Sequence, residues 1–199
     1  MLNRISSSRS AAKGAILALC SIWLWSCTPE RVYTPPKGQK TQMPMGQALF
    51  CTKNQSHRYC KDTQAFLEEV DKEVRKVLTY QRDGKVLGFG DVWTSPKRAI
   101  EMGLGDCEEY MMVASYLLEE KGVPETSLWF VGLSLNDTGR LDHAALVVST
   151  GQGLTLVGDV GSYGKALLKD NYNERQIIKW ASVRDPKKWF LWKRSDTDG

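Results

Sequence analysis

The hydrophobic period of this chain changes once, near Gly122, and that change limits what it can fold into. Before it, apolar residues recur at helical spacing. Phe66, Val70, Val74 and Val77 fall on one stripe with charges opposite, which predicts a helix from Gln64 to Tyr80. Ser95-Pro96 predicts a short helix, with Ser95 as cap and Pro96 at the first position, ended by Gly103. A second long helix is expected from Asp106, with Glu109 completing a capping box, and Lys121-Gly122 followed by Pro124 stops it. Cys107, Met111, Ala114 and Leu118 then share one face of that helix. After the change, Ser127 to Leu135, His143 to Ser149, Leu154 to Asp159 and Gln176 to Val183 read as strands separated by turn residues. Trp180, Trp189 and Trp192 in the tail read as core cover. Helices first and a strand meander second predict an α+β fold.

The amino-terminal segment points to export. Arg4, Arg9 and Lys13 precede an apolar run from Ala15 to Trp25, shorter than the roughly 18 residues of a membrane span. It ends in Leu24-Trp25-Ser26-Cys27, which resembles a lipobox. Three fates are open for residues 1–27: lipidation at Cys27, which is the first expectation, ordinary cleavage, or an uncleaved anchor. Residues 28–47, rich in Pro and Gly, read as a flexible tether, and 48–199 as one folded domain. The signal carries three basic and no acidic residues, so removing it takes the formal net charge from +4 to +1. A near-neutral domain has no electrostatic footprint for nucleic acid. The expected location is the periplasm, with membrane attachment if Cys27 is modified.

In an oxidising compartment Cys51 and Cys60, which flank a polar stretch, are expected to pair. Cys107 is then the odd thiol. It is either a small buried hydrophobe or a reactive group. Its place favours the second: it opens a helix, where unsatisfied N–H groups and the dipole stabilise a thiolate and lower its pKa. A base is required. Of the two histidines, His57 lies inside the suspected disulfide loop, and His143 opens a buried-looking strand. His143 and Asp159 are equidistant from Gly151. A symmetric hairpin sets them opposite each other, where a carboxylate can orient an imidazole. A one-residue slip would spoil that pairing, and Asp159 also reads as a turn residue. Asp106, Glu108 and Glu109 put negative charge beside the sulfur, which opposes ionisation. They either cap the helix or hold a divalent cation such as Ca²⁺, and spacing alone favours capping.

At these residues the chain resembles the bacterial transglutaminase-like cysteine proteinases, which include periplasmic proteases that release large adhesins. The stretches that carry the resemblance are Asp91-Val92-Trp93-Thr94-Ser95-Pro96, Gly103-Leu104-Gly105-Asp106-Cys107-Glu108-Glu109-Tyr110, Asp142-His143-Ala144-Ala145-Leu146-Val147 and Leu156-Val157-Gly158-Asp159. Phe50-Cys51 with Cys60 is similar to the family's amino-terminal cysteine pair. The resemblance implies a papain-like, transglutaminase-like core with the cysteine helix packed on an antiparallel sheet. It implies a Cys107, His143, Asp159 triad and Ca²⁺ held by Asp106 and Glu108, which reverses the preference for capping alone. It also implies an adhesin substrate and control by an inner-membrane cyclic-di-GMP receptor. The chain departs from the family where Val160 follows Asp159 in place of Asn, and where Met111 and Met112 stand in place of smaller residues. Two rivals remain at this stage: acyl transfer to an amine on the same triad, and a binding module with an inactive fold.

Overall fold

The computed structural model describes residues 40–41, 46–82, 93–136, 138–161 and 167–192. The segment read as an export signal with Cys27, most of the expected tether, and Asp91-Val92 of the family-like stretch lie outside the described residues.

The elements follow in chain order. They are β1 (Lys40–Thr41), α1 (Gln47–Lys53), α2 (Arg58–Lys61), α3 (Thr63–Val77), β2 (Thr79–Tyr80), α4 (Pro96–Met102), β3 (Leu104–Gly105) and α5 (Cys107–Glu120). After a short 3-10 turn at Glu125–Ser127 come β4 (Leu128–Leu133), β5 (His143–Thr150), β6 (Gly153–Val157), α6 (Leu168–Asn171), β7 (Ile177–Ser182) and β8 (Trp189–Trp192). The main sheet has the order β1-β8-β7-β4-β5-β6, antiparallel except where β1 joins β8. The α+β expectation holds, with α3 and α5 packed on one face of the sheet.

Burial explains that grouping. On α3, Phe66, Leu67, Val70 and Val74 are buried, and each fully buried valine contributes about 2 kcal/mol. They meet Tyr110, Met111, Ala114 and Leu118 of α5 and Leu128, Phe130, Ala144, Leu146 and Val148 of the sheet in one core. A second cluster on the opposite sheet face gathers Trp129, Val131, Ala145, Val147, Leu156, Tyr172 and Trp180. Trp180 and Trp189 are buried within β7 and β8, so the tail is two sheet strands whose rings fill the core.

Three local readings are corrected. The long helix stops at Val77, and Thr79–Tyr80 leaves it to pair in parallel with Leu104–Gly105, because Leu78 is already extended. The first strand begins at Leu128, since Ser127 belongs to the 3-10 turn. The hairpin register is one residue away from the symmetric expectation: Thr150 faces Gly153 and Leu146 faces Val157. A two-residue turn at Gly151-Gln152 causes the offset, and Asp159 falls beyond the ladder.

Gly158 compensates for the slip. Its φ of +69° turns the chain out of β6, a conformation a side chain resists. A Cβ there would lie 2.8 Å from the Ala114 Cβ and 3.0 Å from the Tyr110 carbonyl oxygen. Gly158→Ala should therefore destabilise the fold by about 2 kcal/mol or more, measured as a lower urea midpoint at unchanged slope.

Candidate active site

The sulfur is positioned by local sequence. Asp106 caps α5, its Oδ1 accepting from the Glu108 N–H at 3.3 Å, and Glu109 Oε2 accepts from the Asp106 N–H at 3.1 Å. The capping box read from the sequence is present. Glu109 also reaches outside the helix, where its Oε1 accepts from the Thr94 N–H at 2.8 Å. One buried carboxylate thus ties the segment after Trp93 to the start of the cysteine helix. Burial pushes the Glu109 pKa up to about 7, against the pull of those two N–H donors. Gly105 is needed for this contact, because a Cβ there would lie 2.4 Å from the Glu109 Cβ. Pairing of β2 with β3 fixes the turn itself: the Gln81 N–H donates to the Gly105 carbonyl at 2.8 Å.

Cys107 is half-buried and is the free thiol among the described residues, since Cys51 and Cys60 form a disulfide. His57 inside that loop bonds through Nε2 to the Lys121 carbonyl oxygen at 2.9 Å, so it anchors the loop to the far end of α5. The Cys107 Sγ donates to Glu108 Oε2 at 2.8 Å. Its pKa departs from the sequence expectation. Burial, then the charge and hydrogen bond of Glu108 and the charge of Asp106, push the thiol well above its ordinary value. The Ala144 N–H pulls the other way. Burial and the carboxylates beside the sulfur thus both oppose its ionisation.

Cys107 packs against the core cluster that includes Ala144, the residue after His143. His143 Nε2 and Asp159 Oδ1 are 2.6 Å apart, both side chains nearly inaccessible to solvent. This bond leaves Nδ1 as the ring nitrogen not committed to the carboxylate. Burial works against the Asp159 charge. The hydrogen bonds from His143, Tyr172 and the Gly161 N–H outweigh it and hold the carboxyl below its usual range. The structure thus brings His143 and Asp159 together by a turn beyond the ladder, where the sequence suggested a cross-strand pair.

Several neighbours escaped the sequence reading. Tyr172 Oη donates to Asp159 Oδ2 at 2.8 Å. Arg75 Nη2 donates to the Asp159 carbonyl at 2.6 Å. Asp71 accepts from Arg75 Nε at 2.8 Å and from the Gly158 N–H at 2.9 Å. Asp71 and Arg75 on α3 thus grip the backbone that carries Asp159. An available signal was Asp71 itself, an acidic residue on the apolar stripe with a basic residue four positions later. Nothing local marks Tyr172.

Asp106, Cys107 and Glu108 form a cluster whose candidate ligand atoms all lie within 4.8 Å of one another. Its two carboxylates offer the hard oxygens that Ca²⁺ takes, and a thiol does not suit that ion.

The helix-borne sulfur, strand-end imidazole and buried carboxylate on an antiparallel sheet are those of the transglutaminase-like, papain-like fold class. The profile of the bacterial transglutaminase-like cysteine proteinases (BTLCP) matches residues 37–196, and the chain belongs to this family of cysteine peptidases. Among solved structures it is similar to Legionella pneumophila LapG, at 21% identity and a TM-score of 0.49, covering 63% of this chain and 66% of that one. The match therefore spans just under two thirds of that LapG chain. The calcium-bound form of LapG matches at 22% identity and a TM-score of 0.49, over 66% of this chain and 71% of that one. The EGTA-treated form matches at 23% and 0.50, over 67% and 69%. At such identities the likeness concerns the fold. No curated protein sequence matches the chain.

Proposed function

We propose that this chain is an exported cysteine endopeptidase that cuts a periplasmic or surface protein such as a large adhesin. The observation that carries the reading is the 2.6 Å bond between His143 Nε2 and Asp159 Oδ1, with Cys107 packed against the core cluster that includes Ala144, the next residue.

Cys107 is the nucleophile. Its thiol proton passes to His143 Nδ1, and the sulfur bonds to the scissile carbonyl carbon. Asp159 holds Nε2–H and stabilises the imidazolium that forms. The backbone N–H at Cys107, with a side chain near Trp93, would stabilise the developing oxyanion. His143 then protonates the leaving amine as the C–N bond breaks, leaving an acyl-enzyme. Water, deprotonated by His143, releases the acid and restores the thiol.

Asp106 and Glu108 would hold Ca²⁺. When bound, the ion supplies positive charge that offsets both carboxylates beside the sulfur. Glu108, whose Oε2 accepts from the thiol without the ion, is then free to release it. Chelation with EGTA is expected to lower cleavage about tenfold or more, with recovery in excess Ca²⁺, and calorimetric Ca²⁺ binding should be lost in Asp106→Ala. Unchanged cleavage in EGTA would remove calcium from the account.

The amino-terminal segment read as an export signal supports a periplasmic setting. The enzyme works in the periplasm, tethered there if Cys27 is lipidated, and is governed by an inner-membrane cyclic-di-GMP receptor. No described helix is long and apolar enough to cross a membrane.

A further inference from the structure

The Asp159 carboxylate is almost completely buried, at 1% exposure, so each of its oxygens needs a partner. Oδ1 faces His143 Nε2 at 2.6 Å and the Gly161 N–H at 3.3 Å. Oδ2 receives the Tyr172 hydroxyl at 2.8 Å. Tyr172 is itself held independently of Asp159. It is buried, its N–H closes α6 on the Leu168 carbonyl at 2.9 Å, and its ring lies 6.0 Å from the His143 ring. Gly161 leaves room for it, since a Cβ there would lie 2.9 Å from the hydroxyl.

We infer that Tyr172 is a positioning residue of the reaction, acting through Asp159 by fixing the plane of its carboxylate so that Oδ1 stays on His143 Nε2. This rests on the proposed peptidase reading. The two oxygens have different tasks, and a carboxylate rotated about its own axis would exchange them. A donor placed on Oδ2 removes that freedom. It also keeps the buried carboxylate ionised, so the proton remains on Nε2 and Nδ1 stays open to accept the thiol proton. Burial and the Asp159 charge raise the Tyr172 pKa, which keeps the phenol a donor. The hydroxyl's hydrogen bond goes to Asp159, so its effect is expected on the rate and not on substrate affinity.

Tyr172→Phe keeps the ring and its packing and deletes the donor. The reading is the rate at which iodoacetamide alkylates Cys107 in the full chain, in calcium-containing buffer, followed on the Cys107 peptide by mass spectrometry. Wild type should react fast, and His143→Ala about 100-fold more slowly. Tyr172→Phe should slow the reaction about tenfold. In an Asp159→Asn background the same change should cost less than about twofold, because the carboxylate through which Tyr172 acts is gone. A residue that only supports the fold would slow both backgrounds equally. If His143→Ala is slow while Tyr172→Phe reacts like wild type, or costs the same in both backgrounds, this inference fails and the peptidase reading stands. If His143→Ala reacts as fast as wild type, the peptidase reading fails and takes the inference with it.

Discussion

Cys107→Ala is expected to abolish peptide-bond cleavage, by at least about 10³-fold, while leaving the fold intact. In the proposed reaction the sulfur is the atom that bonds to the substrate, and Cys107 is the free thiol among the described residues. Alanine at the first position of α5 is well tolerated, because Asp106 and Glu109 supply the cap and Cys107 packs only at the margin of the core. Loss of activity therefore separates from loss of structure. The measurement is a comparison of the surface and secreted proteins of cells carrying the wild-type or Cys107→Ala chain. Polypeptides released by the wild type should stay on the surface in the variant. Identical profiles would exclude a shedding protease.

Asp159→Asn should lower kcat about 10³-fold with a small change in KM. The side chain keeps its size and burial, so the effect comes from charge and hydrogen-bond direction. In the native site both carboxylate oxygens accept, one from His143 and one from Tyr172. An amide has one acceptor and one donor group. If its oxygen stays on His143, the imidazolium loses its countercharge. If its nitrogen turns to His143, the proton moves to Nδ1, and that nitrogen no longer accepts from the thiol. Either outcome slows acylation. Steady-state kinetics on a cleaved substrate read the loss, and a thermal midpoint within a few degrees of wild type shows that the fold persists. A midpoint that collapses together with activity would make Asp159 a structural residue instead.

The parts of this site that were legible in the sequence are those decided within a few residues. Ser95, Pro96 and Gly103 set both ends of α4, and Asp106 with Glu109 sets the start of α5 and so the place of Cys107. Caps and turns act over one helical turn, so residue type at fixed offsets is enough. The β5–β6 register was not legible, because it depends on whether the turn holds one residue or two, and Gly151 allowed both. The meeting of His143 with Asp159 was anticipated from symmetric pairing. It arises instead from the left-handed turn at Gly158, which undoes the one-residue offset. Tyr172 and Arg75 reach Asp159 from distant elements, Arg75 across 84 positions, and no local pattern encodes such a contact. The sulfur's environment was half legible. Both the helix terminus and the carboxylates were visible, but which one prevails depends on burial and on the Glu108 rotamer that receives the thiol.

The proposed pairing of imidazole with sulfur can be measured without knowing the substrate. Iodoacetamide alkylation at Cys107 should be fast and calcium-supported in the native chain, and about 100-fold slower once His143 is alanine. Equal rates in the two proteins would mean that His143 does not serve Cys107, and would leave a transglutaminase-like domain with no working active site.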